Sequence, residues 1–252
     1  MAGHSKWSQI KRKKAAEDQK RGKLFGKLIR EITVAAREAG GDPDANPRLR
    51  TAIDNAKAAN MPKDNIEKAI LRGTGDLPGM SYEEVTYEGY GPGGVAFFIE
   101  AMSDNTNRTV SDVRRSLEKY GGNLGRDGSV AWNFERKGQI LIDARRYDED
   151  AALEAALEAG AEDLVREDDT YVVTTDPNAF HSVGATLRVR GIETSEASLA
   201  MIPNSTVRVE GRDAERLVAL LEELEDHDDV QNVYSNLDID DTLLTQLAGA
   251  SR

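Results

Sequence analysis

Val85-Thr86-Tyr87-Glu88-Gly89-Tyr90, Gly91-Pro92-Gly93-Gly94 and Val95-Ala96-Phe97-Phe98-Ile99-Glu100-Ala101 form the stretch on which the reading of the fold turns. Side chains alternate with a period of two on both sides of a glycine-proline turn, which predicts a β-hairpin. The Gly-Pro-Gly-Gly segment lacks the Gly-Lys-Ser/Thr ending and the following helix of a phosphate-cradling loop, so it reads as the turn itself. Upstream the period is different. Leu24, Phe25, Leu28, Ile29, Ile32, Ala35 and Ala36 fall on one face of a helix over 23–39, stopped by Gly40-Gly41. Asn46 as N-cap and Pro47 at the first helical position open a second helix through Leu49, Ala52, Ile53, Ala56 and Ala59. A third runs from Pro62 through Ile66, Ala69 and Ile70 to a stop at Gly73. Three such stripes can bury themselves against one another, giving a small helical domain.

Downstream of the hairpin the chain predicts a helix over 105–120, a strand near 130–134 and a strand at 139–143. A helix over 148–159, strands near 162–166 and 170–174, a helix over 177–190 and a strand near 194–200 follow, a ferredoxin-like β-α-β-β-α-β order. The last piece, a strand at 205–210, a helix over 213–224 and a strand at 230–236, is too small for its own core and is expected to complete the first sheet. The fold class is therefore α+β: a three-helix domain with a basic arm, then two α/β ferredoxin-like domains, one inserted in the other. Its expected limits are 1–75, with the arm at 1–22, then 80–135 plus 204–240, with 136–203 inserted. Gly73 to Gly79 has a linker's composition.

The 252 residues hold 33 Lys+Arg against 45 Asp+Glu, a net charge of −12. The imbalance is uneven: 17 against 9 in residues 1–75, a local +8, and 16 against 36 in residues 76–252, a local −20. There is no cysteine, which excludes disulfide frameworks, zinc ribbons and thiol catalysis. No apolar run is longer than that of Val95 to Ile99, far short of the roughly 20 residues that span a bilayer. The basic N-terminus carries no apolar stretch behind its charges, so a secretory signal is not expected and the default compartment is the cytoplasm. His4, His181 and His227 are far apart in sequence, and the acidic run from Glu222 to Asp229 reads as a solvated helix end rather than a metal cage. No enzyme, metal or cofactor is expected.

The candidate site is the arm with the first helix. Lys6, Lys11, Arg12, Lys13, Lys14, Lys20, Arg21, Lys23, Lys27 and Arg30 face only Glu17 and Asp18 within thirty residues. Such a segment would fold back on its own acidic domains unless a polyanion competes, and this points to nucleic acid. Trp7 either stacks on a base or ribose or anchors the arm on the helical domain. His4 and Ser5 offer hydrogen bonds to phosphate.

AGHSKWSQIKRKKAAEDQKRGKLFGKLIREI at 2–32, NMPKDNIEKAI at 60–70, YEGYGPGGVAF at 87–97, SDNTNRTVSDVRR at 103–115, LGRDGSVAWNF at 124–134 and VQNVYSNLDI at 230–239 resemble the YebC/PmpR family over essentially the whole chain. The resemblance implies a cytoplasmic three-domain α+β protein. The family is described as probable transcriptional regulators that bind DNA, while relatives of the mitochondrial translational activator type are described as acting on the ribosome. It carries no catalytic residues.

Together these readings give a nucleic-acid-binding regulator of gene expression, a DNA-binding transcriptional regulator, with a ribosome-associated translation factor binding structured RNA as the alternative. The acidic domains would set geometry or recruit transcription or ribosomal proteins. No helix is both basic and rich in Asn, Gln and Arg along one face, which weakens sequence-specific repression.

Overall fold

The computed structural model describes residues 18–240 and 243, apart from the side chains of 18–21. Helices α1 (Asp18–Ala39), α2 (Pro47–Ala58) and α3 (Lys63–Thr74) come first. Their core joins Ile32, Ala35 and Ala36 of α1 to Leu49, Ala52, Ile53 and Ala56 of α2 and to Ile66 and Ala69 of α3. The buried Asn46 caps α2 by accepting from Leu49 N at 3.0 Å, while its amide donates to Ala35 O and Gly40 O. One residue thereby closes two helix ends.

Two boundaries differ from expectation. Helix α1 starts at Asp18 rather than Lys23, taking the end of the basic arm into its first turn; nothing between 18 and 23 is a strong helix breaker except Gly22, and Lys, Arg and Gln are good helix formers. Gly73 is not a stop but lies inside α3. A Cβ there would sit 2.4 Å from Thr33 O and 2.7 Å from Ala36 Cβ, so its lack of side chain lets α1 and α3 approach. Gly75, at φ 86°, ends the helix in the left-handed region instead.

The first sheet has strand order β3-β1-β2-β9. Its members are β1 (Glu83–Tyr90), β2 (Ala96–Ser103), β3 (Asn123–Leu124) and β9 (Val230–Ser235). The β1–β2 hairpin pairs Tyr90 with Ala96 across a turn closed by Gly91 N to Val95 O at 2.8 Å. Strand β2 is central and covered on both faces. Phe97 and Ile99 meet α4 (Thr106–Lys119) and α7 (Gly211–Asp226) through Val113, Leu117, Leu217 and Leu221. Ala96 and Phe98 face the other way, against Val130, Phe134, Ala200 and Tyr234. As expected, the C-terminal strand β9 returns to this sheet, antiparallel to β2. Expected Ser205 to Glu210 shrinks to β8 (Val207–Arg208), which pairs in parallel with β10 (Leu237–Asp238) as a separate ribbon.

The second sheet comprises β4 (Phe134–Asp143), β5 (Asp163–Glu167), β6 (Thr170–Thr175) and β7 (Thr194–Pro203), in the order β5-β6-β4-β7. With α5 (Glu149–Glu158) and α6 (Phe180–Val189) it has the ferredoxin-like connectivity and is antiparallel throughout. That connectivity belongs to this sheet alone. The first sheet opens with two strands joined directly, so its order is ββαβ followed, after the second sheet, by α7 and β9. The strand expected at Val130 to Phe134 is a 3₁₀ turn over Ala131–Asn133, and Phe134 begins the long β4, paired with β7 from Pro203 onward.

Candidate nucleic-acid interface

His4, Lys6, Trp7, Lys11, Arg12, Lys13 and Lys14 lie outside the described residues, and the backbone of Lys20 and Arg21 lies in the first turns of α1. The three remaining candidates are spaced i, i+4 and i+7, on one face of α1, and the structure brings them together. They meet the C-terminal end of α7. Lys23 Nζ lies 3.2 Å from Asp226 O and 3.3 Å from Asp226 Oδ2. Lys27 Nζ donates to Glu225 O at 2.7 Å, and Arg30 Nη1 to Asp228 O at 2.6 Å. The last carbonyls of a helix lack intrahelical partners and carry the negative end of its dipole. Since α7 has no basic residue in its last turn, α1 supplies the cations. Lys23, Lys27 and Arg30 therefore engage protein, the fold-back that the charge layout anticipates.

Beneath this contact sits Asp229, 2% exposed although it ends a run that reads as solvated. Its Oδ2 accepts from Arg108 Nη2 at 2.6 Å and Thr109 Oγ1 at 2.7 Å, and Arg30 Nη2 lies 3.4 Å from Oδ1. Its carbonyl accepts from Met102 N at 2.8 Å. Burial pushes the carboxyl up, but the hydrogen bonds from Arg108 and Thr109 and the charges of Arg108 and Arg30 outweigh it and hold Asp229 below the usual carboxylate range. One carboxylate thus joins α1, α4, β2 and the loop after α7. Sequence reasoning missed it because a charge run shows no burial. The available signal was the motif, since Arg108 and Thr109 lie within SDNTNRTVSDVRR and Asp229 immediately precedes VQNVYSNLDI.

A second tie crosses from the helices to the first sheet. Arg48 Nε lies 2.9 Å from Glu31 Oε1 and Nη1 2.6 Å from Glu38 Oε2, while Nη2 pairs with Glu84 at the start of β1. Burial opposes the charge on Arg48, yet Glu84 and Glu31 raise its pKa overall. Other cations of the helical unit are also engaged: Arg37 donates to Ser81 Oγ, Arg50 to the carbonyls of Pro43 and Asp44, and Lys57 and Lys63 pair with Asp54 and Glu67. Residues 1–22, with 7 Lys+Arg against 2 Asp+Glu, hold most of the local surplus.

The same architecture occurs in known proteins. A crystal structure of a conserved hypothetical protein from Aquifex aeolicus superposes with a TM-score of 0.83 at 48% identity, covering 88% of this chain and 92% of that one. A protein of Dictyoglomus turgidum named "Probable transcriptional regulatory protein" is 55% identical over 249 residues, 98% of this chain and 100% of the relative. One of the same designation from Geobacter sp. is 56% identical over 239 residues, 95% of this chain and 96% of its own. Residues 5–76 match the family described as "TACO1/YebC protein N-terminal domain" and residues 82–237 that described as "TACO1/YebC second and third domain", so the chain belongs to the TACO1/YebC family.

Proposed function

We propose that this protein is a nucleic-acid-binding regulator of gene expression that acts on DNA, in the cytoplasm, through its basic arm. The observation that carries this reading is the distribution of engaged charge. Described cations of the helical unit are largely spent on internal carboxylates and carbonyls, whereas residues 1–22 hold a surplus of five positive charges by sequence. An arm so composed binds phosphate, and a firmly docked α1 gives it a defined point of departure. The acidic α/β body sets geometry or recruits protein. The transcriptional designation of the relatives agrees with this reading. Among the described residues no helix is long and apolar enough to cross a membrane.

Substituting Lys11, Arg12, Lys13 and Lys14 by Glu is expected to remove most nucleic-acid affinity and leave the fold intact. Against the corresponding alanine variant, wild-type binding to duplex DNA should fall with salt at a log-log slope steeper by about 3.6, the contribution of four neutralised phosphates. Equal slopes overturn the assignment to the arm. The −20 of residues 76–252 favours a second reading, binding to structured RNA on the ribosome, where basic proteins beside the RNA receive the acidic domains. In that case ribosomes displace random duplex from the protein at physiological salt, and the protein sediments with them.

A further inference from the structure

Residues 124–134, Leu-Gly-Arg-Asp-Gly-Ser-Val-Ala-Trp-Asn-Phe, lead from β3 into β4 and are pinned along most of their length. The Glu88 carboxylate, buried on β1, accepts from Gly128 N and Val130 N, each at 2.6 Å, and from Ala131 N at 2.8 Å. Its carbonyl accepts from Gly125 N at 2.7 Å. Burial pushes the Glu88 carboxyl up, but the three amide hydrogen bonds outweigh it and hold it below the usual range. On the far side the buried Asn133 accepts from Ser205 N and Oγ and donates to Ser205 O. Val130 and Phe134 are sealed in the cluster between the two sheets.

Between these fixed residues Trp132 is 73% exposed. Its indole N–H donates to Ser129 O at 2.9 Å, and the same carbonyl accepts from the Tyr90 hydroxyl at 2.7 Å. The ring's single donor is thus satisfied inside the loop, and what it offers outward is π-surface. A tryptophan at a protein interface ordinarily uses both its apolar body and its N–H; here the N–H is already taken. The surrounding chain, at −20 over residues 76–252, repels closely approaching phosphate rails. An unpaired base reaches out from its own backbone and can stack without bringing its phosphate near, whereas a base within a duplex has no free face.

We propose that Trp132 is a stacking platform for an unpaired nucleobase, held ready by Glu88 and Asn133. This deepens, and rests on, the nucleic-acid reading above, with the arm supplying phosphate affinity and Trp132 supplying preference for unpaired sites. The probes are RNA and DNA hairpins of one sequence, each with a single looped-out adenine, and the same hairpins fully paired. Trp132→Ala is expected to weaken binding to the looped-out hairpins by about 5- to 150-fold, the usual contribution of one base–aromatic stack. It should leave affinity for the paired hairpins and the salt slope unchanged, and Trp132→Phe should restore part of the loss. Comparing the RNA and DNA arms tells which polymer supplies the base. Equal affinity of wild type and Trp132→Ala for the looped-out hairpins overturns the inference alone, as does an equal loss on paired and looped-out forms. Failure of the wild-type protein to bind any hairpin overturns both this inference and the reading beneath it.

Discussion

Asp229 and Glu88 are both buried carboxylates held ionised, but the donors that hold them differ in kind. Asp229 draws on side chains, Arg108, Thr109 and Arg30, which lie 121, 120 and 199 residues away in the chain. Glu88 draws on three backbone amides within one loop. The first arrangement joins separate elements and depends on charge partners that can be substituted. The second shapes one loop whatever its side chains are, leaving Trp132 and Arg126 exposed on a frame that does not need them. One carboxylate sets how the helical unit sits on the sheet, and the other sets what the sheet displays.

The sharpest way to break this contrast is Glu88→Ala. Three amides then lose their acceptor at once, and since a buried donor left unmade costs about 1–3 kcal/mol, some recovered by water, the loss should be about 3 kcal/mol in urea denaturation. Asp229→Asn should cost less, about 2 kcal/mol, because Arg108 is half exposed and recovers its hydration. The sign with pH separates this variant further. A folded-state pKa held below the unfolded value near 3.9 stabilises the protein above about pH 4 and ceases to do so as pH falls through it. The gap between wild type and Asp229→Asn should therefore be full at pH 7 and narrow below about pH 4. A gap constant across that range would mean the charge of Asp229 is not what joins the elements. The smallest effect belongs to Lys23→Ala. Its ion pair with Asp226 is solvent-exposed on both sides, so thermal and urea denaturation should register less than about 0.5 kcal/mol. A larger loss would show that the helix-end contact, rather than Asp229 beneath it, carries the docking.

Much of the fold was legible because its signals are local. The Asn46-Pro47 start, the Gly-Pro-Gly-Gly turn and the helix from Asn105 each depend on a few adjacent residues, and each appears. Elements defined by distant partners were harder to read. Phe134 to Asp143 is one strand because β7 pairs with it from Phe134 to Ile142; Glu135-Arg136-Lys137-Gly138 alone breaks the apolar pattern and suggests two pieces. Gly73 carries a stop signal that packing against Thr33 and Ala36 overrides. The site divides in the same way. The charge on α1 was visible and a fold-back on the acidic domains was anticipated, but its seat at the end of α7 and the burial of Asp229 were concealed in an acidic run that reads as solvated. Trp132 was hidden by being read as part of a strand.

The contact between α1 and the end of α7 spans 198 to 203 residues of sequence. That separation orders events during synthesis. At about 5–20 residues per second, the cationic helix exists for roughly 10–40 s before Glu225, Asp226 and Asp228 have been polymerised. During that interval Lys23, Lys27 and Arg30 have no carbonyls of α7 to bind, and the helical unit rests on its own core of Ile32, Leu49 and Ile66. The same delay applies to the sheet, because β2 waits for β9 before its second edge is covered. Truncated chains that end before residue 225 would therefore display the most adhesive form of this molecule, with an unanchored cationic helix and an open strand edge, and synthesis from Glu225 through Ser235 removes both hazards together.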